Sequence, residues 1–121
     1  MKIAIPTNGK RGLNEDVAQH FGRCNTYTII DENGRLLEII DNTSEHMGGF
    51  GLPPDLMKKH GTDMLLCMDI GPRAIIMCKN LGIDVYLVHA KTVKEMFEKW
   101  KSGKIKKAEL EDTCKQHREN Q

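Results

Sequence analysis

The apolar positions change rhythm near the middle of the chain. In the first half they come in short β-rich runs, KIAIP (2–6), TYTIID (26–31) and RLLEIID (35–41). Pro6 is expected to stop the first run, because proline cannot donate to a sheet ladder. The Asn-Gly of ENGR (32–35) predicts a hairpin between the other two. NTSEHMGGFGLPP (42–54), with three glycines and a proline pair, reads as a loop with unusual backbone freedom.

Beyond residue 53 helices alternate with apolar runs. PDLMKKHG (54–61) reads as a short helix opened by Pro54 and stopped at Gly61. TDMLLCMD (62–69) and IDVYLVH (83–89) have the near-continuous apolar character of strands covered on both faces. Between them, PRAIIMCKNLG (72–82) repeats Ala74, Met77, Cys78 and Leu81 at helical spacing and ends at Gly82. TVKEMFEKWKSG (92–103) opens on a capping box, Thr92 with Glu95, and carries the stripe Val93, Met96, Phe97 and Trp100. Residues 104–121 are polar and charged, so 1–103 reads as one domain and the remainder as a tail.

A strand, a hairpin and then α-β-α-β-α predict an α/β fold: a mixed five-stranded sheet with helices on both faces. Right-handed crossovers place strand 63–68 beside the first strand and 83–88 beyond it, while the hairpin extends the other edge. The order is then 3-2-1-4-5. The chain leaves the first strand toward one side and reaches the fourth from the other. That opens a crevice at their C-terminal ends, where open α/β sheets place ligands.

Composition narrows the function classes. The chain has 121 residues, 39% hydrophobic and 29% charged, enough for one soluble domain whose core needs no metal or disulfide staple. A formal charge of +1 creates no field that would gather nucleic acid or a membrane surface. The lysines of KWKSGKIKK (99–107) read as a solvated helix face and its exit, and only Trp100 is interleaved with them. MKIAIPT is too short and too soon polar for a signal peptide, and no apolar run approaches a membrane span of about 20 residues. The expected location is the cytoplasm, with Cys24, Cys67, Cys78 and Cys114 as reduced thiols; no CxxC pair is present.

Three segments carry chemistry toward the crevice. HFGRC (20–24) offers His20, Arg23 and Cys24. The glycine loop offers His46 and Met47 beside Gly48, Gly49 and Gly51. CMDIGPR (67–73) offers Cys67, Met68 and Asp69 before Gly71-Pro72 opens a helix whose first amides suit an anion. Each residue also has a plain structural reading. His20 can be a loop histidine and Cys24 or Cys67 a small core hydrophobe; Cys78 lies on a helix's core face, His60 is a helix C-terminal charge, and His89 reaches the rim only weakly. Taken together, thiol, thioether and imidazole suit an iron–sulfur or copper-type centre better than magnesium, with His20, Cys24, His46 and Cys67 as candidate ligands.

The order KIAIP, HFGR, a His-Gly loop, IGPRA, LGI-VY and a TV-E helix resembles the dinitrogenase iron–molybdenum cofactor biosynthesis family, which includes NifX-like proteins and the C-terminal part of NifB-like proteins. The resemblance covers residues 1–103 and rests on HFGR and IGPRA occurring together. It implies an RNase H-like three-layer fold, and binding or carriage of an iron–sulfur or molybdenum–iron cluster rather than catalysis. It also implies partner proteins that donate and accept the cluster. Residue by residue it points to His20, Arg23, His46, Gly48, Gly49, Gly51, Gly71 and Pro72. A ligand role for Cys24 and Cys67 comes from their own chemistry and not from the resemblance. Three other readings compete: a regulatory interaction module without a cluster; a metal nuclease on Asp31 and Asp69; and a thiol enzyme with Cys24 as nucleophile and His20 as base.

Overall fold

Period-two alternation in the strands decides which side chains face which layer. A computed structural model describes residues 1–44, 49, 51–103, 105 and 107. Its strands are β1 (Ile3–Thr7), β2 (Thr26–Ile30), β3 (Leu36–Asp41), β4 (Met64–Cys67) and β5 (Asp84–Leu87). Its helices are α1 (Pro53–Lys59), α2 (Pro72–Asn80) and α3 (Val93–Lys101). The five strands form one sheet in the order β3-β2-β1-β4-β5. β1 is antiparallel to β2 and parallel to β4, so the sheet is mixed, as expected of an RNase H-like fold.

Ala4, Tyr27, Ile29, Leu65, Cys67 and Val85 project to one face, where α1 and α2 cover them with Leu56, Met57, Ile75 and Cys78. Ile3, Ile5, Ile30, Met64 and Leu66 project to the other, against Val93 and Met96 of α3. The central strands are therefore apolar at every position because both faces are covered. The edges are less buried: β3 exposes Leu36 and Leu37, and three of the four residues of β5 are only partly buried.

Local chemistry departs from the expectation at three places. β1 continues through Pro6 to Thr7, with Pro6 opposite Tyr27. Proline is tolerated because the β1–β4 register covers only Ile3 and Ala4; beyond it the Pro6 carbonyl accepts from the Ala18 amide (2.9 Å). The hairpin is not a two-residue Asn-Gly turn. Asp31 closes a longer loop, its carboxylate accepting the Asn33 and Arg35 amides (2.8 and 2.9 Å), and only Gly34 has positive φ (+82°). The register then shifts by one between Ile29 and Ile30. At α3, the Thr92 hydroxyl accepts from the Glu95 amide (3.2 Å), but the Glu95 carboxylate reaches the Lys91 amide (3.0 Å) rather than that of Thr92.

The region assigned to the tail also touches the domain. Ile105 packs on the α3 face, and Lys107 bridges to Tyr86 with its ammonium 2.6 Å from the Asp84 carboxylate.

Candidate functional site

The crevice lies at the C-terminal ends of β1 and β4. A cavity of about 500 Å3 is lined by His20, Phe21 and Arg23 from the loop after β1, and by Asp69, Ile70 and Gly71 from the loop after β4. Arg73, Ala74 and Met77 of α2 form one wall, and Leu52, Pro53 and Pro54 at the start of α1 form another. The mixture is apolar surface with a few polar groups, the usual composition of a small-ligand site.

Two contacts tie the HFGRC lip to the β4–α2 loop. The Phe21 amide donates to the Asp69 carbonyl (3.1 Å), and His20 Nδ1 lies 2.9 Å from Asp69 Oδ2. Phe21 stacks at an angle on buried Tyr27, centroids 5.8 Å apart, which anchors the lip to the sheet. Asn42 fastens the same lip to the exit of β3. Its Nδ2 donates to the carbonyls of Gly22 and Cys24, both at 2.9 Å, and its Oδ1 accepts from the Ser44 amide and hydroxyl (3.1 and 2.6 Å). The Gly49 amide in turn donates to the Ser44 carbonyl (2.9 Å).

Arg23 and Arg73 are exposed and make no ion pair or hydrogen bond among the described residues. The first turn of α2 receives no side-chain cap, whereas α3 is capped by Thr92. Two guanidiniums and a helix start without a side-chain cap thus bring positive potential to one cavity, against the single carboxylate of Asp69, which faces His20. Gly71 contributes space: its φ of −73° is ordinary for any residue, and a Cβ there would meet nothing within 4 Å. Gly49 is different, because a Cβ there would collide with the Thr43 carbonyl.

The thiols lie elsewhere. Cys24 is 2% exposed and Cys67 fully buried, both in the core under α1 and α2, and neither lines the cavity. Burial pushes the Cys24 thiol up and the Cys67 thiol well up, the latter reinforced by Cys78 and Asp69 nearby; Cys78 is pushed up to about 12 by burial. Neutral, enclosed thiols are poor ligands. The structure thus places Cys24 and Cys67, expected as ligands, away from the cavity wall: alternation along β4 turns Cys67 inward, and Cys24 tucks beneath its own lip. Among the described residues, no three of His, Cys, Asp and Glu gather closely enough to hold a metal ion. His46 and Gly48 lie outside the described residues, as do Cys114 and His117.

His89 does not reach the cavity; it is exposed and its carbonyl accepts from Lys99 (2.6 Å). His60 caps the end of α1 with its Nδ1 3.0 Å from Glu38. Asp31 sits in the hairpin turn beside the start of β1 and Asp69 beyond the end of β4, so the two carboxylates occupy opposite ends of the sheet. That removes the nuclease arrangement built on this pair.

Arg73, Met77 and the Leu52–Pro54 wall were not singled out from the sequence. The IGPRA segment held a signal for Arg73, one residue past the helix-opening proline. Nothing in the pattern marked the wall, which depends on how α1 packs.

This geometry meets its relatives in known proteins. The dinitrogenase iron-molybdenum cofactor family matches residues 1–103. The chain belongs to this family. It is 36% identical over 114 residues to an uncharacterized protein, MJ0580, of Methanocaldococcus jannaschii, covering 90% of this chain and 92% of that one. Among solved structures, the apo form of the orange protein from Desulfovibrio gigas is similar at 25% identity and TM-score 0.77, over 88% of this chain and 92% of that one. A Thermotoga protein described only as a candidate NifB protein is similar at 27% identity and TM-score 0.70, over 88% of this chain and 91% of that one. No described helix is long and apolar enough to cross a membrane.

Proposed function

We propose that this protein binds and carries an anionic metal–sulfur cluster, of iron–sulfur or iron–molybdenum type, in the cavity between the HFGRC lip and α2. The carrying observation is the meeting of one imidazole, two guanidiniums unpaired among the described residues and a helix start without a side-chain cap around a largely apolar space of about 500 Å3, where the one carboxylate, Asp69, is turned to His20. Arg23 and Arg73 balance the cargo's negative charge, and the amides of the α2 first turn add to them. His20 supplies one donor atom, and Met77 a soft thioether surface. The apolar walls take the inner face of a bound cargo out of water, which strengthens the charge interactions made there.

The donor set fits a cluster that brings its own sulfide coordination. It does not fit one built onto protein thiolates, since the described cysteines are buried away from the wall. The role is carriage between proteins that supply and accept the cluster in the cytoplasm, with no chemical step of its own. The family to which the chain belongs supports this reading.

The test is anaerobic loading of the purified protein with iron and sulfide, with and without thiomolybdate, followed by metal content and visible absorption. Stoichiometric uptake is expected, reduced in His20→Ala and in the double variant Arg23→Ala/Arg73→Ala but not in Cys24→Ala. Loss only in Cys24→Ala would return the thiol to the site. No uptake under any condition would replace the carrier with an interaction module.

A further inference from the structure

Asp69 makes two different bonds to the same lip. Its carbonyl accepts from the Phe21 amide (3.1 Å), and its carboxylate faces His20 Nδ1 (2.9 Å). The backbone bond already pins the lip to the β4–α2 loop, and it would survive any change of the Asp69 side chain. The carboxylate bond is therefore available for another purpose.

An ionised carboxylate only accepts, so the contact at Nδ1 requires the proton to be on that nitrogen. A neutral imidazole protonated there carries its lone pair on Nε2, which has no partner among the described residues. Imidazole in water prefers the opposite arrangement, with the proton on Nε2. Asp69 is more enclosed than the ring it faces, its side chain 30% exposed against 55% for His20, so the acceptor is the less solvated partner. Both residues line the cavity.

We propose that Asp69 is a positioning residue that fixes His20 as the Nδ1–H tautomer, leaving Nε2 as the donor atom offered to the cavity. The proposal deepens the carrier reading and rests on it for its purpose, but the tautomer is a property of the empty protein. Ring nitrogens that bind metals are commonly oriented by a carboxylate on the other nitrogen in this way.

The full chain, uniformly 15N-labelled and without cargo, would be examined by long-range 1H–15N correlation at mildly alkaline pH, with His20 assigned from His20→Gln. In the wild type Nδ1 should give a pyrrole-type and Nε2 a pyridine-type signal. Asp69→Ala should reverse them, and Asp69→Asn, whose amide oxygen can still accept, should fall between. Iron and sulfide loading should weaken about 10–100-fold in Asp69→Ala, and hardly further when His20→Gln is added, because the two act through one atom. A wild-type Nε2–H tautomer, a tautomer unmoved by Asp69→Ala, or additive losses in the double variant would each overturn the proposal. Should Asp69→Ala fail to fold, the wild-type tautomer and the Asp69→Asn shift decide alone. Failure of the wild type to load defeats the carrier reading and leaves the tautomer result standing on its own.

Discussion

If the thiols belong to the core, they should be nearly inert in the folded protein. Cys78 shows the size of the effect. Burial moves it from an ordinary value of 9.0 to about 12. At a fixed pH below 9 its thiolate fraction therefore falls by about 10^3, since each unit is a factor of ten. Steric enclosure slows reaction further, as the side chain has no exposed surface. Cys24 and Cys67 are shifted in the same direction by the same cause. Peptide-resolved iodoacetamide alkylation at pH 8 should show all three reacting at least a hundred-fold more slowly in the native protein than in urea. The same shift has a consequence for stability. Below pH 9 Cys78 is protonated in both states and contributes no pH dependence. Between 9.0 and about 12 the unfolded thiol ionises while the folded one does not, so stability falls by about 1.4 kcal/mol per pH unit. Urea titrations at pH 8, 9 and 10 should show a decline to which Cys24 and Cys67 add with the same sign, and Cys78→Ala should make it shallower without abolishing it. Native alkylation of Cys24 or Cys67 within about tenfold of the unfolded rate would refute the burial argument and restore thiolate ligation.

Gly34→Ala should destabilise by about 2–5 kcal/mol, combining left-handed backbone strain with a Cβ placed 2.8 Å from the Phe97 ring, whereas Gly82→Ala, strained but in open space, should lose only about 1–2; equal losses in urea titration would remove the Phe97 contact from the account. The Tyr27 hydroxyl is buried with no hydrogen-bond partner among the described residues beyond the weak Cys24 thiol beside it, so Tyr27→Phe should be neutral or stabilising by up to about 2 kcal/mol, and a loss above about 1 kcal/mol would reveal a stronger partner. Gly71→Leu should leave the melting temperature nearly unchanged yet reduce cluster loading severalfold, because its side chain enters the cavity rather than the core; unchanged loading would move the cargo away from α2.

The strand order was legible because it depends on local signals that agree with one another. Apolar runs of four or five residues need both faces covered, the switch from hairpin to βα alternation fixes which strands are parallel, and right-handed crossovers leave one arrangement. The Thr92 cap and the glycine stops at Gly61 and Gly82 are likewise properties of a few neighbouring residues. The Asn-Gly signal correctly marked a hairpin but not its turn, because the Asp31 side chain competes for the same amides. The placement of Ile105 and Lys107 against the domain could not be read from composition, since a charged stretch gives no sign of which edge it borders.

Residue types in the HFGRC and IGPRA segments suggested a chemistry, and the expected topology placed both segments at one end of the sheet, where they line one cavity. The sequence alone could not say which of their atoms face the cavity. Cys24 and Cys67 sit beside loops in the chain yet point into the core, since a strand's alternation and a lip's fold direct a side chain independently of its neighbours in sequence. Arg73, 50 residues beyond Arg23, joins it only because α2 starts where the lip ends. The pairing of His20 with Asp69, 49 positions apart, is also a product of packing. Secondary structure is set by interactions a few residues long, so the chain writes it openly. A binding site is set by which surfaces meet, and that was decided only when α1 and α2 closed over the sheet.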